Sequence, residues 1–176
     1  GSDTPHRVVL TKPFCIDALE VTVGEWMVCM AAKQCPKPEQ AHPFVTYSRK
    51  LLDHPVNCVD WRAAKHYCEW QGKTLPTEAQ WDKAARGADG RGFPWGDTFD
   101  ATLALVSGSG PGGPAPGIVG ASPTDVSIYG VRDLAGSARD WCGDAAFDGD
   151  PTLRPVRGGG WTSLPSGCHL GRRRSL

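Results

Sequence analysis

Cysteines at positions 15, 29, 35, 58, 68, 142 and 168 have the widest chemical repertoire in this 176-residue chain. Thiolates bind soft metals, attack electrophiles or pair as disulfides. None of the seven forms a CxxC pair, and the five histidines never fall at i, i+3 or i, i+4 spacing, so neither a zinc finger nor a helical His pair is indicated. Structural disulfides or buried thiols remain, and an odd count leaves at least one cysteine unpaired within the chain. So many cysteines suit an oxidising compartment, extracellular or periplasmic. A Cys29–Cys35 bridge would close a short loop after a helix, but spacing alone does not fix the pairing. His169 beside Cys168 would activate a thiolate only if the two side chains turned toward each other. Ser163 has no His and Asp partners by motif, so a serine hydrolase is unsupported. Arg157, Arg172, Arg173 and Arg174 would form either an anion or carboxylate patch or an ordinary solvated surface.

The elements that must position these residues are short. Thr22 with Glu25, and Thr77 with Gln80, have the spacing of capping boxes, which predicts helices over 22–33 and from Thr77 to Gly87. Trp26, Cys29 and Met30 would face the core from the first helix, and Trp81, Ala84 and Ala85 from the other. Between them, a short buried strand over 54–61 runs into a helix capped by Asp60 and ended by Gly72, with Trp61, Ala64 and Cys68 facing inward. Residues 7–21 alternate loosely and read as two short strands broken near Lys12 and Pro13. The stretch 98–124 lacks periodicity and is rich in Gly and Pro, as a long functional or mobile loop would be. Residues 154–161 read as a strand ending in a glycine run where backbones or a ligand approach closely. Of Trp61, Trp70, Trp81, Trp95, Trp141 and Trp161, at least four are expected in the core.

The length suits one domain over 1–176, with residues 1–6 read as a tag remnant or disordered segment. Apolar residues make up 40 %, and 22 glycines and 15 prolines require loops to hold much of the core. Lys plus Arg equals Asp plus Glu. A sequence-independent grip on nucleic acid needs a basic excess, so nucleic acid is not an expected partner. No apolar run approaches the roughly 20 residues that span a bilayer.

Six ordered segments carry a more specific signal: EVTVGEW (20–26), HPVNCVDW (54–61), YCEWQGKTLPTEAQWDKAARG (67–87), FPWGD (93–97), YGVRDLAGSARDWCGD (129–144) and RPVRGGGW (154–161). In that order they resemble the signature blocks of the formylglycine-generating enzyme family, the sulfatase-modifying factors. The resemblance implies an α+β, irregular domain of C-type-lectin-like architecture with few short helices, a small antiparallel sheet and structural calcium. Founding members of the family oxidise a client sulfatase's cysteine to formylglycine, using oxygen and a copper ion held by two cysteines. Other members are binding modules, and some diversified relatives display variable ligand-binding surfaces.

Carried onto this chain, the first copper cysteine becomes Ser163 and only Cys168 matches the second. Cys168 also aligns with the cysteine that opens a later family block, where it bridges structurally. Copper is therefore not expected, because a hydroxyl is a poor Cu(I) ligand. Calcium would take carbonyls of Ala135, Gly136 and Ala138 and the carboxylate of Asp140, in a turn where Ser137 replaces the family's asparagine and Arg139 its aromatic residue. The alternative is a tight turn with Asp140 paired to Arg132 or Arg139. The expected function is a non-catalytic module, part of a larger chain, that binds a protein or small molecule through Trp161, Ser163, Cys168, Arg157 and Arg174 and the long loop. The alternatives are a copper oxidase acting through Cys168 and a diversified ligand-display protein.

Overall fold

Three helices begin at polar side chains that satisfy otherwise orphan backbone donors. In the computed structural model, which describes residues 8–40, 45–107, 116–145, 150 and 152–176, Thr22 caps α1 (Val23–Ala31) by a reciprocal capping box with Glu25. The Asp60 carboxylate accepts the Ala63 N–H at 2.8 Å and starts α2 (Trp61–Trp70). Thr77 and Gln80 repeat the box at α3 (Glu78–Arg86), which Gly87 ends with φ 72°. The helices stop at or before the positions their sequences predict. Residues 1–6 and part of the long loop, 108–115, lie outside the described residues.

The sheet is small and antiparallel, in the order β1 (Asp140–Trp141), β2 (Pro155–Arg157), β3 (Arg174–Ser175). A four-residue helix, α4 (Pro165–Cys168), precedes β3. Asp140 opposes Arg157, Trp141 opposes Val156, and Val156 opposes Arg174. Directly opposed residues share a face. Trp141, Val156 and Arg174 therefore lie on one side, with Asp140 and Arg157 on the other.

Among the described residues three apolar clusters make up the core. Trp81, Ala84 and Ala85 of α3 pack with Leu134, Cys142 and Leu170. Trp26, Cys29, Ala63 and Tyr67 join α1 to α2, with Trp26 and Tyr67 stacked at 5.3 Å. The third cluster brings Phe93, Ala104 and Val106 against Ala135 and Cys168.

Several expectations change in three dimensions. Residues 8–21 form no strand. Their backbone contacts are single hydrogen bonds, such as Arg132 N–H to the Ala18 carbonyl, and Thr22–Pro55 is an isolated bridge in place of the expected buried strand over 54–61. The buried face of α2 is Ala63 and Tyr67 rather than Trp61, Ala64 and Cys68. Stacking of Tyr67 on Trp26 fixes that rotation. Among the six tryptophans assigned mostly to the core, only Trp81 is buried. The indoles of Trp61 and Trp141 instead stay half-buried and tie two segments together, through N–H bonds to the Cys142 and Val59 carbonyls at 2.7 and 3.1 Å. Within the long loop, Ala104 and Val106 are core residues, so that part is not a solvated excursion.

Candidate functional site

The turn 133–138 is organised by two carboxylates outside it, Asp125 shortly before it and Glu20 more than a hundred residues away. Asp125, wholly buried, accepts N–H groups from Leu134, Ala135 and Gly136 at 3.1–3.2 Å. Burial nevertheless pushes its carboxyl up to about 7, with the Asp133 charge adding to the effect. Glu20 accepts the Ala138 N–H at 2.8 Å and the Ser137 hydroxyl at 3.1 Å. Its carboxyl is held well above the usual range by burial first, then by the charges of Asp140 and Asp133. Asp140 accepts the Trp81 indole N–H at 2.8 Å, and burial raises it to about 6, with Asp133 adding. The partner of Asp140 is thus an indole, not Arg132 or Arg139. Glu20 and Asp140 lie deep in the fold yet keep some accessible area, because they line a groove of ≈ 910 Å³ that also reaches Arg139, Trp141 and Trp161.

The glycine run of 158–160 meets this turn closely. Gly159 N–H bonds the Leu134 carbonyl at 3.2 Å and Trp161 N–H bonds that of Ser137 at 2.8 Å. The chain then turns through Ser163 into α4. Ser163, 4 % exposed, accepts the Gly160 N–H on its hydroxyl at 3.0 Å and a bond from Arg139 Nη2 at 3.2 Å. Its carbonyl accepts the Ser107 N–H at 3.2 Å, which brings the long loop to the same place. Cys168 is fully buried; its thiol faces the Leu164 carbonyl at 3.3 Å. Burial pushes that thiol up to about 11, with Asp125 adding and Arg139 and Arg174 opposing.

The fold therefore gathers Ser163, Cys168 and Arg174 around Arg139, whereas the side chain of Trp161 is half-buried on the groove wall. Arg157 turns away from them. It is 6 % exposed, pairs with Asp82 at 2.6 Å, lies over the Trp81 ring and bonds the Leu170 carbonyl. Its strand neighbours dictate this, since Arg157 shares the α3-facing side of the sheet with Asp140. Arg173 likewise pairs with Glu78. His169 stands edge-on to Phe93 rather than beside the thiol. Sequence reasoning did not single out Glu20, Asp125 or the positioning of Arg139. The only trace of Arg139 was its charge at a place where the resemblance calls for an aromatic ring.

These residues do not fit copper. Cu(I) between two thiolates needs a second soft donor, and the position five residues before Cys168 is a serine already hydrogen-bonded to a cation and an amide. Calcium fits better on donor type. The Leu134 and Ser137 carbonyls are taken by the N–H groups of Gly159 and Trp161, whereas those of Ala135, Gly136 and Ala138 accept no hydrogen bond among the described residues. No cluster of three acidic, His or Cys side chains suited to a metal occurs among the described residues. A calcium ion there would lean on carbonyl oxygens and Asp140.

This loop-rich α+β arrangement, with a three-stranded sheet and a groove beside its glycine run, defines a formylglycine-generating-enzyme-like domain. Residues 1–175 match the family described as sulfatase-modifying factor enzyme 1-like domain, and the protein belongs to that family. It is 36 % identical over 134 residues to the cow protein named inactive C-alpha-formylglycine-generating enzyme 2, covering 72 % of this chain and 44 % of that one. It is 35 % identical over 149 residues to the formylglycine-generating enzyme of Thermomonospora curvata, covering 79 % of this chain and 48 % of that one. The chain thus spans less than half the length of these two relatives. The fold is also that of PvdO from Pseudomonas aeruginosa, with TM-score 0.81 at 23 % identity over 99 % of this chain and 78 % of that one. Treponema denticola variable protein 1 follows with TM-score 0.65 at 21 % identity, covering 89 % and 76 % of the two chains. Among the described residues no helix is long and apolar enough to cross a membrane.

Proposed function

We propose that this domain is a non-catalytic binding member of its family, with its ligand surface at Ser163, Arg139, Arg174 and the adjoining groove. The observation that carries this reading is the donor set at Ser163 and Cys168: one hydroxyl held by Arg139 and Gly160, and one buried thiol whose deprotonation is disfavoured. A thiolate pair is the basis of copper chemistry in the family, and this surface offers only one thiol. The test is Cu(I) titration of the purified protein with a cysteine-containing client peptide under air. The expected result is no stoichiometric copper uptake and no aldehyde product; copper-dependent turnover would remove the reading. An oxidising compartment, extracellular or periplasmic, accords with the Cys29–Cys35 disulfide.

Calcium braces the same turn in this reading. A divalent ion at Ala135, Gly136, Ala138 and Asp140 would offset the mutual repulsion of Asp140, Glu20 and Asp133. Adding calcium should raise Tm relative to chelated protein, and Asp140→Ala should abolish the difference. An unchanged Tm in the unmutated protein would count against the site.

A further inference from the structure

We infer that Arg139 and Arg174, partly exposed arginines beside the buried Ser163, form an oxyanion site that receives a carboxylate, sulfate or phosphate group of the ligand. The inference rests on the binding role proposed above and names the chemistry of what is bound.

Contacts to Ser163 bring the two guanidinium groups together. Arg174 lies directly across from Val156, and Val156 from Trp141. Arg139 immediately precedes β1, and its guanidinium reaches Ser163. Arg139 Nη2 is 3.2 Å from Ser163 Oγ, and a Cβ placed on Gly167 would lie 2.9 Å from Arg174 Nη2 and 3.3 Å from the same Oγ. Gly167 leaves that space open, since any side chain there would meet Arg174.

The charge is unbalanced at this point. The ion pairs of the neighbouring arginines go elsewhere: Arg157 to Glu78 and Asp82, Arg173 to Glu78. Among the described residues Arg139 and Arg174 make no ion pair. Arg172, whose Nη1 bonds the Ser166 carbonyl at 3.2 Å, adds a third positive charge nearby. Arg139 Nε is buried with no hydrogen-bond partner, although a guanidinium has five N–H donors to satisfy. Two like charges held together beside an orphaned donor cost stability unless an anion completes them. The guanidinium fork matches a two-oxygen anion, so carboxylates and tetrahedral oxyanions are the fitting class.

The experiment is calorimetric titration of the whole protein with sodium sulfate, sodium phosphate and sodium acetate, with ionic strength fixed by sodium chloride. Saturable one-site binding of at least one of the three is expected. Arg174→Gln and Arg139→Gln should each weaken it at least about tenfold, the loss of one charge-assisted pair. Arg154→Gln, at the Trp61 ring, should leave it unchanged. Arg174 sits half-exposed in the last strand, so its variant keeps the test alive if Arg139→Gln fails to fold. A stronger response to sulfate and phosphate than to acetate assigns a tetrahedral group, and the reverse a carboxylate. No saturable binding to the unmutated protein, or binding that both variants retain, overturns the inference. Copper-dependent turnover would instead remove the non-catalytic reading, so the two failures are separately visible.

Discussion

Gly159 shows how little freedom the site backbone has. A Cβ added there would lie 1.9 Å from the Ala135 carbonyl oxygen and 2.7 Å from its carbon, both backbone atoms that cannot swing aside. Gly159→Ala should therefore destabilise the fold by more than about 4 kcal/mol, the range reserved for named structural failures. At Gly72 the φ is +70° but the surrounding space is open, so alanine there should cost only about 1 kcal/mol. Urea unfolding of both variants checks the contrast. A Gly159 variant as stable as the parent would mean the turn and the glycine run are not in contact. The glycine run was legible in the sequence as a place of close approach. What approaches it, the Ala135 carbonyl, was not, because the two segments lie more than twenty residues apart and only packing joins them.

Among the elements, α1 and its disulfide form a local unit whose cap is legible in the sequence and whose cysteine pairing is not. Cys29 sits on the buried face of α1, and the chain after the helix returns Cys35 to it with Cα atoms 5.3 Å apart. Closing so short a loop removes about 2 kcal/mol of unfolded-chain freedom. Reduction, or the double Cys→Ser variant, should lower Tm by an amount consistent with that loss, with α1 and its Tyr67 contact loosening first. An unchanged Tm under strong reductant would show that the bridge does not contribute. The other five cysteines divide differently: Cys142 and Cys168 are buried thiols, Cys58 and Cys68 half-buried and Cys15 exposed. The two sequence alternatives, bridges and buried thiols, are thus both realised in one chain.

At the scale of the whole molecule, Arg157 joins helix to sheet. Its guanidinium lies over the Trp81 ring and pairs with Asp82, while Glu78 at 3.9 Å also holds Arg173. Removing a buried member of such a network leaves partners uncompensated, a loss of about 3–5 kcal/mol in full burial. Asp82 is partly exposed, so about 2 kcal/mol is the expected cost of Arg157→Ala after solvent screening. Arg157→Lys should recover only part of it, since an ammonium cannot reproduce the planar stacking and fork. Thermal unfolding of the pair of variants decides this. Equal stability of Arg157→Ala and the parent would return Arg157 to the role of a ligand-facing residue.

By itself the sequence determined the capped helix starts, the buried stripe of α3 and the family, because capping and helical periodicity are local and six ordered blocks leave few alternatives. It also placed Ser163 where a copper cysteine would stand. The tertiary structure alone decided which arginines gather at Ser163. Arg157 and Arg174 looked equivalent along the chain, but strand pairing turns one toward α3 and its acids and the other toward Arg139, where no acid among the described residues meets it. Side-chain direction in a sheet depends on register, and register here is set by strands of two or three residues whose partners lie far apart in sequence.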